Sequence, residues 1–420
     1  MAITQQELGR RLRDAREACG LKQEDVAQHL GVSRATVAQI ELGNRSVSGL
    51  ELSKLAYLYA RDIRDFVAQE FVEDDLVHAL FRSETDSDGD GVKHALRDCM
   101  ALGRELSNLE HLLRINRSLT TVASYSFPVP RSKWEAIQIG TQVAMEERRR
   151  LGLGSTPIGD PIALLEGQGV RTGLISMPAD VSGLMISHPQ VGLFIVVNRE
   201  GHHPVRQRFS WCHEYCHVLL DRDSRGLVSR VSERDDLREV RANSFAASFL
   251  MPEEGVRQFV GSLGKGAVSR IHADVYDGTD VVAVDSRTEP GTQEIQLYDV
   301  VQLAHYFGVS PLSALYRLLN LKLINETEFT HLKELDQEGN SQRLARLLAL
   351  PPIDQVDHAA EFNRRFLGLA LEALRRELIS RGKLVELAAQ VGATRDDAEA
   401  LVQSAGLDEE ELHSVVLPEQ

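Results

Sequence analysis

The chain has 420 residues, 43% hydrophobic and 26% charged, with 47 Lys and Arg against 62 Asp and Glu and a net charge of -15. At roughly 100 to 200 residues per domain this makes two to four globular domains, and the acidic balance excludes a uniformly basic coat for nucleic acid while leaving room for a local basic patch. The longest apolar run, Val191–Val197, falls far short of the roughly 20 residues that span a bilayer, the opening MAITQQELGRRL lacks a signal peptide's apolar stretch, and four cysteines (Cys19, Cys99, Cys212, Cys216) make no disulfide framework, so a cytoplasmic protein with no membrane partner is expected.

Charge is uneven along the chain. Residues 1–65 hold 10 Lys and Arg against 9 Asp and Glu, net +1, and the rest hold 37 against 53, net -16. Residues 5–60 read as consecutive short helices, with Leu8, Leu12 and Ala15 on one face, then Val26, Ala27 and Leu30, then Val37 and Ile40, then Leu52, Leu55, Ala56 and Leu58. Gly20, Gly31 and Gly43-Asn44 mark the turns between them. In QEDVAQHLGVSRATVAQIELGNRS, small Ala27 sits where two helices touch, Gly31 makes the turn, Val32 and Ile40 face inward, and Ser33 caps the second helix. That helix presents Ser33, Arg34, Thr36 and Gln39, residue types that hydrogen-bond base edges and phosphates. Gln23 at the start of the first helix, with Asn44 and Arg45 after the second, completes the candidate DNA-contacting set. These residues resemble the lambda-repressor and Cro-like (XRE) helix-turn-helix family over about residues 5–60. The resemblance implies a homodimer reading two half-sites of a double-stranded DNA operator. With a head of only net +1, affinity then depends on dimerisation and base readout more than on phosphate attraction.

A helical pattern continues over residues 66–81 and breaks at SETDSDGDG, residues 83–91. Asp86, Asp88, Asp90 and Gly91 imitate the opening of a calcium loop, but the twelfth position, which requires a bidentate Glu, is Arg97, so a solvated loop is expected. Residues 93–119 are helical again, and SYSFPVPRSK, residues 124–133, reads as a linker. A long amphipathic helix over residues 134–151 ends in a Gly- and Pro-rich turn. Three short β-type runs follow, VRTGLI (170–175), VSGLMI (181–186) and VGLFIVVN (191–198), as in a small sheet. Helices are expected at about residues 209–220 and 234–250, and beyond Val300 nearly everything is helical. The pattern LAxxxGVS recurs at Leu303-Ala304 to Ser310 and more loosely at Leu387-Ala388 to Thr394. Asp396, Asp397 and Glu399 would repel phosphates in the latter, and the former leads into a Leu-rich helix begun by Pro311, so both read as structural helix pairs.

The most chemical segment is RFSWCHEYCHVLLD, residues 208–221. On a helix, His213 and His217 lie one turn apart on one face and can reach one metal ion, with Glu214 beside them, the HExxH zinc pattern. In that chemistry zinc lowers the pKa of a bound water to about 7 and polarises the scissile carbonyl, while the Glu passes the water proton to the leaving amine. A third ligand is needed. In REVRANSFAASFLMP, Glu239 shares a face with Ala242, Asn243 and Ala246 and is the chosen candidate, with Glu233, Asp235 and Asp236 as alternatives in the less regular segment ahead of it. Cys212 and Cys216 also lie four apart, but Cys216 neighbours His217 and so points about 100° away from the histidine face, which makes both buried small residues. His202 and His203 are candidates for substrate binding or carbonyl polarisation.

The body resembles the ImmA/IrrE family of metallopeptidases over about residues 133–322, through LGLGSTPIGDPIALLEGQGV, VSGL, IVVN, RFSWCHEYCHVLLD, ExxANSFAASFLMP and LAHYFGVSPLSALYRLLNL, in that order. The resemblance implies zinc (Zn2+) held by His213, His217 and Glu239, with Glu214 as general base. Two departures stand out. Cys216 occupies a position usually held by Gly, and Arg241 one where an acidic residue is frequent, so zinc occupancy or activity is open to change. An insertion at about residues 264–296 reads as a flap or autoinhibitory loop.

The expected fold is mainly α with a small β-sheet: an N-terminal helix-turn-helix bundle, an α+β zincin-like metallopeptidase domain and a helical C-terminal region. The expected boundaries are 1–65 for the DNA-binding head, 66–130 for a helical connector, 131–325 for the metallopeptidase domain and 326–420 for the C-terminal region. The resemblances imply a DNA-binding transcriptional regulator whose zinc-dependent endopeptidase cleaves a protein substrate, a cognate repressor, in a stress or mobile-element response. The alternative is a DNA-binding regulator whose metallopeptidase-like domain is a non-proteolytic sensor or a toxin-antitoxin partner module.

Overall fold

The computed structural model describes residues 3–59, 61, 63–67, 89–115, 122–188, 191–200, 204–224, 226–230, 232, 235–266, 270–277, 280–287, 293–351 and 358–407. The head folds as five short helices, α1 (Gln5–Ala18), α2 (Gln23–Leu30), α3 (Arg34–Glu41), α4 (Gly49–Leu58) and α5 (Ile63–Val67). The turn between α2 and α3 follows from two residues. Gly31 takes φ +71°, a conformation that a β-carbon disfavours, and Ser33 Oγ then accepts from the Thr36 amide at 3.2 Å to start α3. Arg16 of α1 clamps the far end of α3 through Glu41, with Nε to Oε1 at 2.6 Å and both side chains largely buried.

A long connector helix, α6 (Gly89–Leu112), leads to α7 (Lys133–Arg150) and α8 (Pro161–Gly167), which precede a four-stranded sheet. Its strands are β1 (Arg171–Ile175), β2 (Val181–His188), β3 (Gly192–Asn198) and β4 (Gly226–Arg230), in the order β1-β3-β2-β4. β1 runs parallel to β3, with Arg171 opposite Phe194. β2 runs antiparallel to β3 and to β4, with Leu184 opposite Val196 and Val228. The three apolar runs read from sequence are β1, β2 and β3. β4 had no such signature, because in Gly226–Arg230 only Ser229 is fully buried and no apolar alternation marks a strand.

Alternation along the strands divides the sheet between two hydrophobic cores. Leu184, Ile186, Phe194 and Val196 face the first, and Met185, Leu193, Ile195 and Val197 the second. Covered on both faces, β3 can be continuously apolar. The second core contains α9 (Pro204–Leu220), α10 (Leu237–Leu250), α11 (Glu253–Ser262), the pair α12 (Leu297–Phe307) and α13 (Pro311–Asn320), and the packed residues of α14 (Glu326–Gln337) and α15 (Asn340–Leu347). The first core joins the head and α6 to α16 (His358–Arg375), α17 (Arg381–Gln390) and α18 (Arg395–Ser404). Ion pairs tie the same parts together: Arg171 to Glu110 at 2.5 Å, Lys383 to Glu105 at 2.7 Å, and Arg365 to Glu166.

The two recurrences of LAxxxGVS are α12–α13 and α17–α18, and their Leu and Ala residues are core: Leu303, Ala304, Leu387 and Ala388 are all buried. Within the stretch read as an insertion, β5 (Arg270–Asp277) and β6 (Asp280–Arg287) form a separate antiparallel hairpin.

Candidate metal centre

α9 is apolar on nearly every side, with Trp211, Cys212, Tyr215, Cys216, Val218 and Leu219 all buried, so it runs through the second core. Buried polar groups fix its position. Arg208 donates to the carbonyls of Gly308, Gly159 and Ile158 at 3.1, 2.8 and 2.5 Å, joining α9 to the α12–α13 turn and to the turn before α8. Tyr215 donates to Glu147 of α7 at 2.5 Å. α10 is drawn close to α7 at Gly140, where a β-carbon would collide with the Arg241 carbonyl. These contacts bring α10 across the histidine face of α9.

There His213, His217 and Glu239 converge, with one ligand atom from each lying within 4.8 Å of the others. The two Nε2 atoms are 3.3 Å apart, and Glu239 reaches them with Oε2 at 3.0 Å from His213 and Oε1 at 3.4 Å from His217. Each imidazole is oriented from behind, His213 Nδ1 against Asn243 Oδ1 at 3.0 Å and His217 Nδ1 against Asp221 Oδ2 at 2.8 Å. Those acceptors place the protons on Nδ1 and turn the Nε2 lone pairs toward one another. Two lone pairs and a carboxylate facing one point repel unless a proton or a cation lies between them. Two imidazoles and one carboxylate are also a donor set that holds zinc with a coordination position left open.

Burial pushes His217 down, but its bonds to Asp221 and Glu239 outweigh this and raise it to about 10. Burial pushes Glu239 up, and the two histidines outweigh that in turn, bringing it down to about 2. Glu214 behaves differently. It is completely buried, and among the described residues neither carboxylate oxygen has a hydrogen-bond partner. Burial raises its pKa, His213 and His217 oppose the rise, and Ser229 lies close enough to oppose it too without a well-formed hydrogen bond. Gly183 of β2 makes room for it: a β-carbon there would stand 2.7 Å from Glu214 Oε1. A buried carboxylate without partners is expensive unless a cation or a reacting water completes its surroundings, and the histidine pair beside it can hold the cation.

The centre opens into a cleft of about 180 Å³ lined by Ser182, Arg206, Phe209, Ser210 and Arg230, with His213, Glu239 and Asn243 in its wall. Behind it, Arg241 Nη2 stands 2.6 Å from both oxygens of Asp221. The arginine that departs from the family pattern therefore braces the carboxylate that orients His217.

Of the alternative third ligands, Asp235 pairs at the surface with Lys133 at 2.6 Å and Asp236 caps α10 through the Arg238 amide at 2.8 Å, while Glu233 lies outside the described residues. Also outside them are His202, His203, Asp86 and Asp88. Cys212 and Cys216 are buried free thiols in the second core; burial pushes Cys212 up to about 12 and Cys216 higher still. Sequence reasoning left out the roles of Asn243, Asp221 and Gly183. Asn243 carried a signal, four residues after Glu239 on the same face, whereas Gly183 looked like any strand glycine.

In the head, Ser33, Arg34, Gln39, Asn44 and Arg45 are exposed, and Gln23 and Thr36 are half-buried. Asn44 donates to Gln39 at 3.0 Å, Gln23 donates to Glu41 at 2.8 Å, and Arg45 pairs with Glu51 at 2.9 Å. Among the described residues no helix is long and apolar enough to cross a membrane.

Comparison with known families places both parts. Residues 165–319, which contain β1 to β4, α9, α10 and the whole histidine–glutamate cluster, match the IrrE N-terminal-like domain. Residues 7–66 match a helix-turn-helix domain. The chain joins a helix-turn-helix domain to an IrrE N-terminal-like domain. The IrrE N-terminal-like match begins inside α8 and ends inside α13, so α7, whose Glu147 holds Tyr215, lies outside it. No curated protein matches the chain. Among solved structures, the crystal structure of ComR from Streptococcus suis aligns at 10% identity over 97% of this chain and 90% of that one, with a TM-score of 0.16, too low to support a shared arrangement.

Proposed function

We propose that the chain is a DNA-binding transcriptional regulator whose IrrE N-terminal-like domain is a zinc-dependent endopeptidase, acting in the cytoplasm on a protein substrate such as a cognate repressor in a stress or mobile-element response. The observation that carries this reading is Glu214, a fully buried carboxylate with no well-formed hydrogen bond among the described residues, set against two histidines and Glu239. In this reading His213, His217 and Glu239 hold the metal. When bound, zinc supplies a Lewis acid and lowers the pKa of a coordinated water to about 7. Glu214 takes the proton of the attacking water and delivers it to the leaving amine, work that suits a carboxyl raised by burial. Asn243 and Asp221 keep the imidazoles in the tautomer that offers Nε2. The head, residues 1–65, reads its operator as a homodimer through Ser33, Arg34, Thr36 and Gln39, with Gln23, Asn44 and Arg45 supporting it. Residues 66–130 connect the head to the metallopeptidase unit, 131–325, and the region 326–420 contributes helices α14 to α18 to the two cores.

The test is Glu214→Gln beside His217→Ala, in protein purified without chelators or a metal-affinity tag. About one zinc per chain in wild type and in Glu214→Gln, lost in His217→Ala, is expected, together with intact operator binding and abolished regulation of a reporter in Glu214→Gln. Regulation unaltered by Glu214→Gln overturns the peptidase reading in favour of a non-proteolytic sensor.

A further inference from the structure

Next to the metal cleft lies a second, larger cavity of about 530 Å³ between the first turn of α9 and helices α12 and α15. Its walls include Val205, Val301, Ala304 and Val309, all at most 7% exposed, together with Leu350. Of the fully buried lining residues only Ser341 is polar, while His305, Ser310 and Asp336 are half-buried and Arg206, Gln342 and Arg346 stand exposed at the mouth. Ser341 is 4% exposed, and its hydroxyl has no hydrogen-bond partner among the described residues. A buried hydroxyl without a partner is a cost that an occupant can remove. The size lies in the range of pockets that take small organic groups, and a buried apolar floor with polar groups toward the mouth is how such pockets orient what they hold.

The position of the cavity identifies its occupant. Arg206, exposed on α9, lines both this cavity and the metal cleft, so the two spaces meet at its side chain. Arg206 precedes His213 by seven residues, two helical turns, which puts both on one face of α9 about 10 Å apart along the axis. An extended peptide advances about 3.3 Å per residue, so a chain lying over the metal ligands reaches the cavity about three residues away.

We infer that this cavity is a specificity pocket for an apolar side chain of the protein substrate about three residues from the scissile bond, with the Ser341 hydroxyl bonding the peptide and Arg206 at the rim. The inference deepens the endopeptidase reading and rests on it.

The probes are zinc-loaded full-length protein, acetohydroxamate, and two sets of three-residue peptides carrying a hydroxamate at one end or the other, each with Phe or Asp at the residue farthest from it. Calorimetric titration is expected to show one set binding at least about 10-fold tighter with Phe than with Asp, the value of burying such a side chain. Ala345→Trp, which fills the cavity from α15, brings that ratio to about one, and Ser341→Ala, which keeps the volume, weakens the Phe peptide about 3- to 10-fold. Equal binding of Phe and Asp peptides in both sets, or a preference that survives Ala345→Trp in protein of wild-type zinc content, overturns the pocket while leaving the metal site standing. Failure of acetohydroxamate itself to bind overturns the peptidase reading, and the pocket falls with it.

Discussion

A β-carbon on residue 183 would stand 2.7 Å from Oε1 of Glu214 and 3.0 Å from its Cγ, so Gly183 of β2 and Glu214 of α9 fit together only because one of them lacks a side chain. Glu214 is completely buried and cannot swing into solvent. Gly183→Ala is expected to turn the carboxylate away from the histidine face while leaving His213, His217 and Glu239 in place. Hydrolysis should fall by roughly 100-fold, the scale of a displacement of about 1 Å at a reacting group. Zinc content by elemental analysis should stay at the wild-type value. Loss of zinc in this variant would show that residue 183 supports the ligands rather than the base.

Asp221 links two charges, accepting from His217 Nδ1 at 2.8 Å and from Arg241 Nη2 at 2.6 Å. Burial pushes its carboxyl up, but those partners hold it below the usual carboxylate range, so it is ionised behind the histidine. Asp221→Asn should weaken zinc binding about 10- to 100-fold, as loss of an orienting carboxylate does. Arg241→Ala should act differently, because it leaves the buried Asp221 without its cation and costs about 3 to 5 kcal/mol of folding stability. Competition against a chelator of known affinity separates the first effect, and urea unfolding the second. Wild-type zinc affinity in Asp221→Asn would remove Asp221 from the metal-site assignment.

The parts of this molecule that were legible in the sequence are those written in local pattern. Gly31 followed by Ser33 encodes a turn and a cap within three residues, and His213, Glu214 and His217 encode a shared helix face within five. β3 was legible because a strand covered on both faces is nearly all apolar, and β1 and β2 through the short apolar runs Leu174-Ile175 and Leu184-Met185-Ile186 between turn residues. β4 was not, since Ser229 is its only fully buried residue and pairing with β2 makes it a strand. Nor could spacing show that Arg241 donates to Asp221, since the two lie twenty residues apart. The division of the C-terminal helices, with Phe329 in one core and Phe366 in the other, depends on which sheet face each helix covers.

Acid stability should depend on Glu147. It is completely buried on α7 and accepts from Tyr215 at 2.5 Å, Tyr125 at 2.9 Å and Arg150 at 2.6 Å. Burial pushes its carboxyl up, and Arg150 with the two phenols brings it below its ordinary value of 4.5. A carboxyl depressed in the folded state stabilises the fold above its unfolded pKa, and that contribution is lost as pH falls through the folded value. Glu147→Gln should therefore be less stable than wild type by about 1 to 3 kcal/mol at pH 7, with the gap narrowing as the pH drops below 4.5. Urea titrations at about pH 7 and pH 3.5 check the sign, and a gap that widens in acid would contradict it.

The head separates two arginines that the sequence set side by side as DNA contacts. Arg34 is exposed on the first turn of α3, beside the Ser33 cap, whereas Arg45 is committed to Glu51 at 2.9 Å. Among the described residues Arg34 has no ion-pair partner, so it takes a base edge or a phosphate at no internal cost. Arg45 must first leave its carboxylate, and that exchange offsets most of what a phosphate contact supplies. Arg34→Ala should therefore weaken operator binding by about 1 to 3 kcal/mol, and Arg45→Ala by less than about 1 kcal/mol. Anisotropy titrations against an operator selected from a random duplex pool, at two salt concentrations, measure both. Glu51→Ala adds the decisive arm, since releasing Arg45 from its partner should tighten binding and steepen the salt dependence. If Glu51→Ala leaves the salt dependence unchanged, Arg45 is a structural residue of the head and not a phosphate contact.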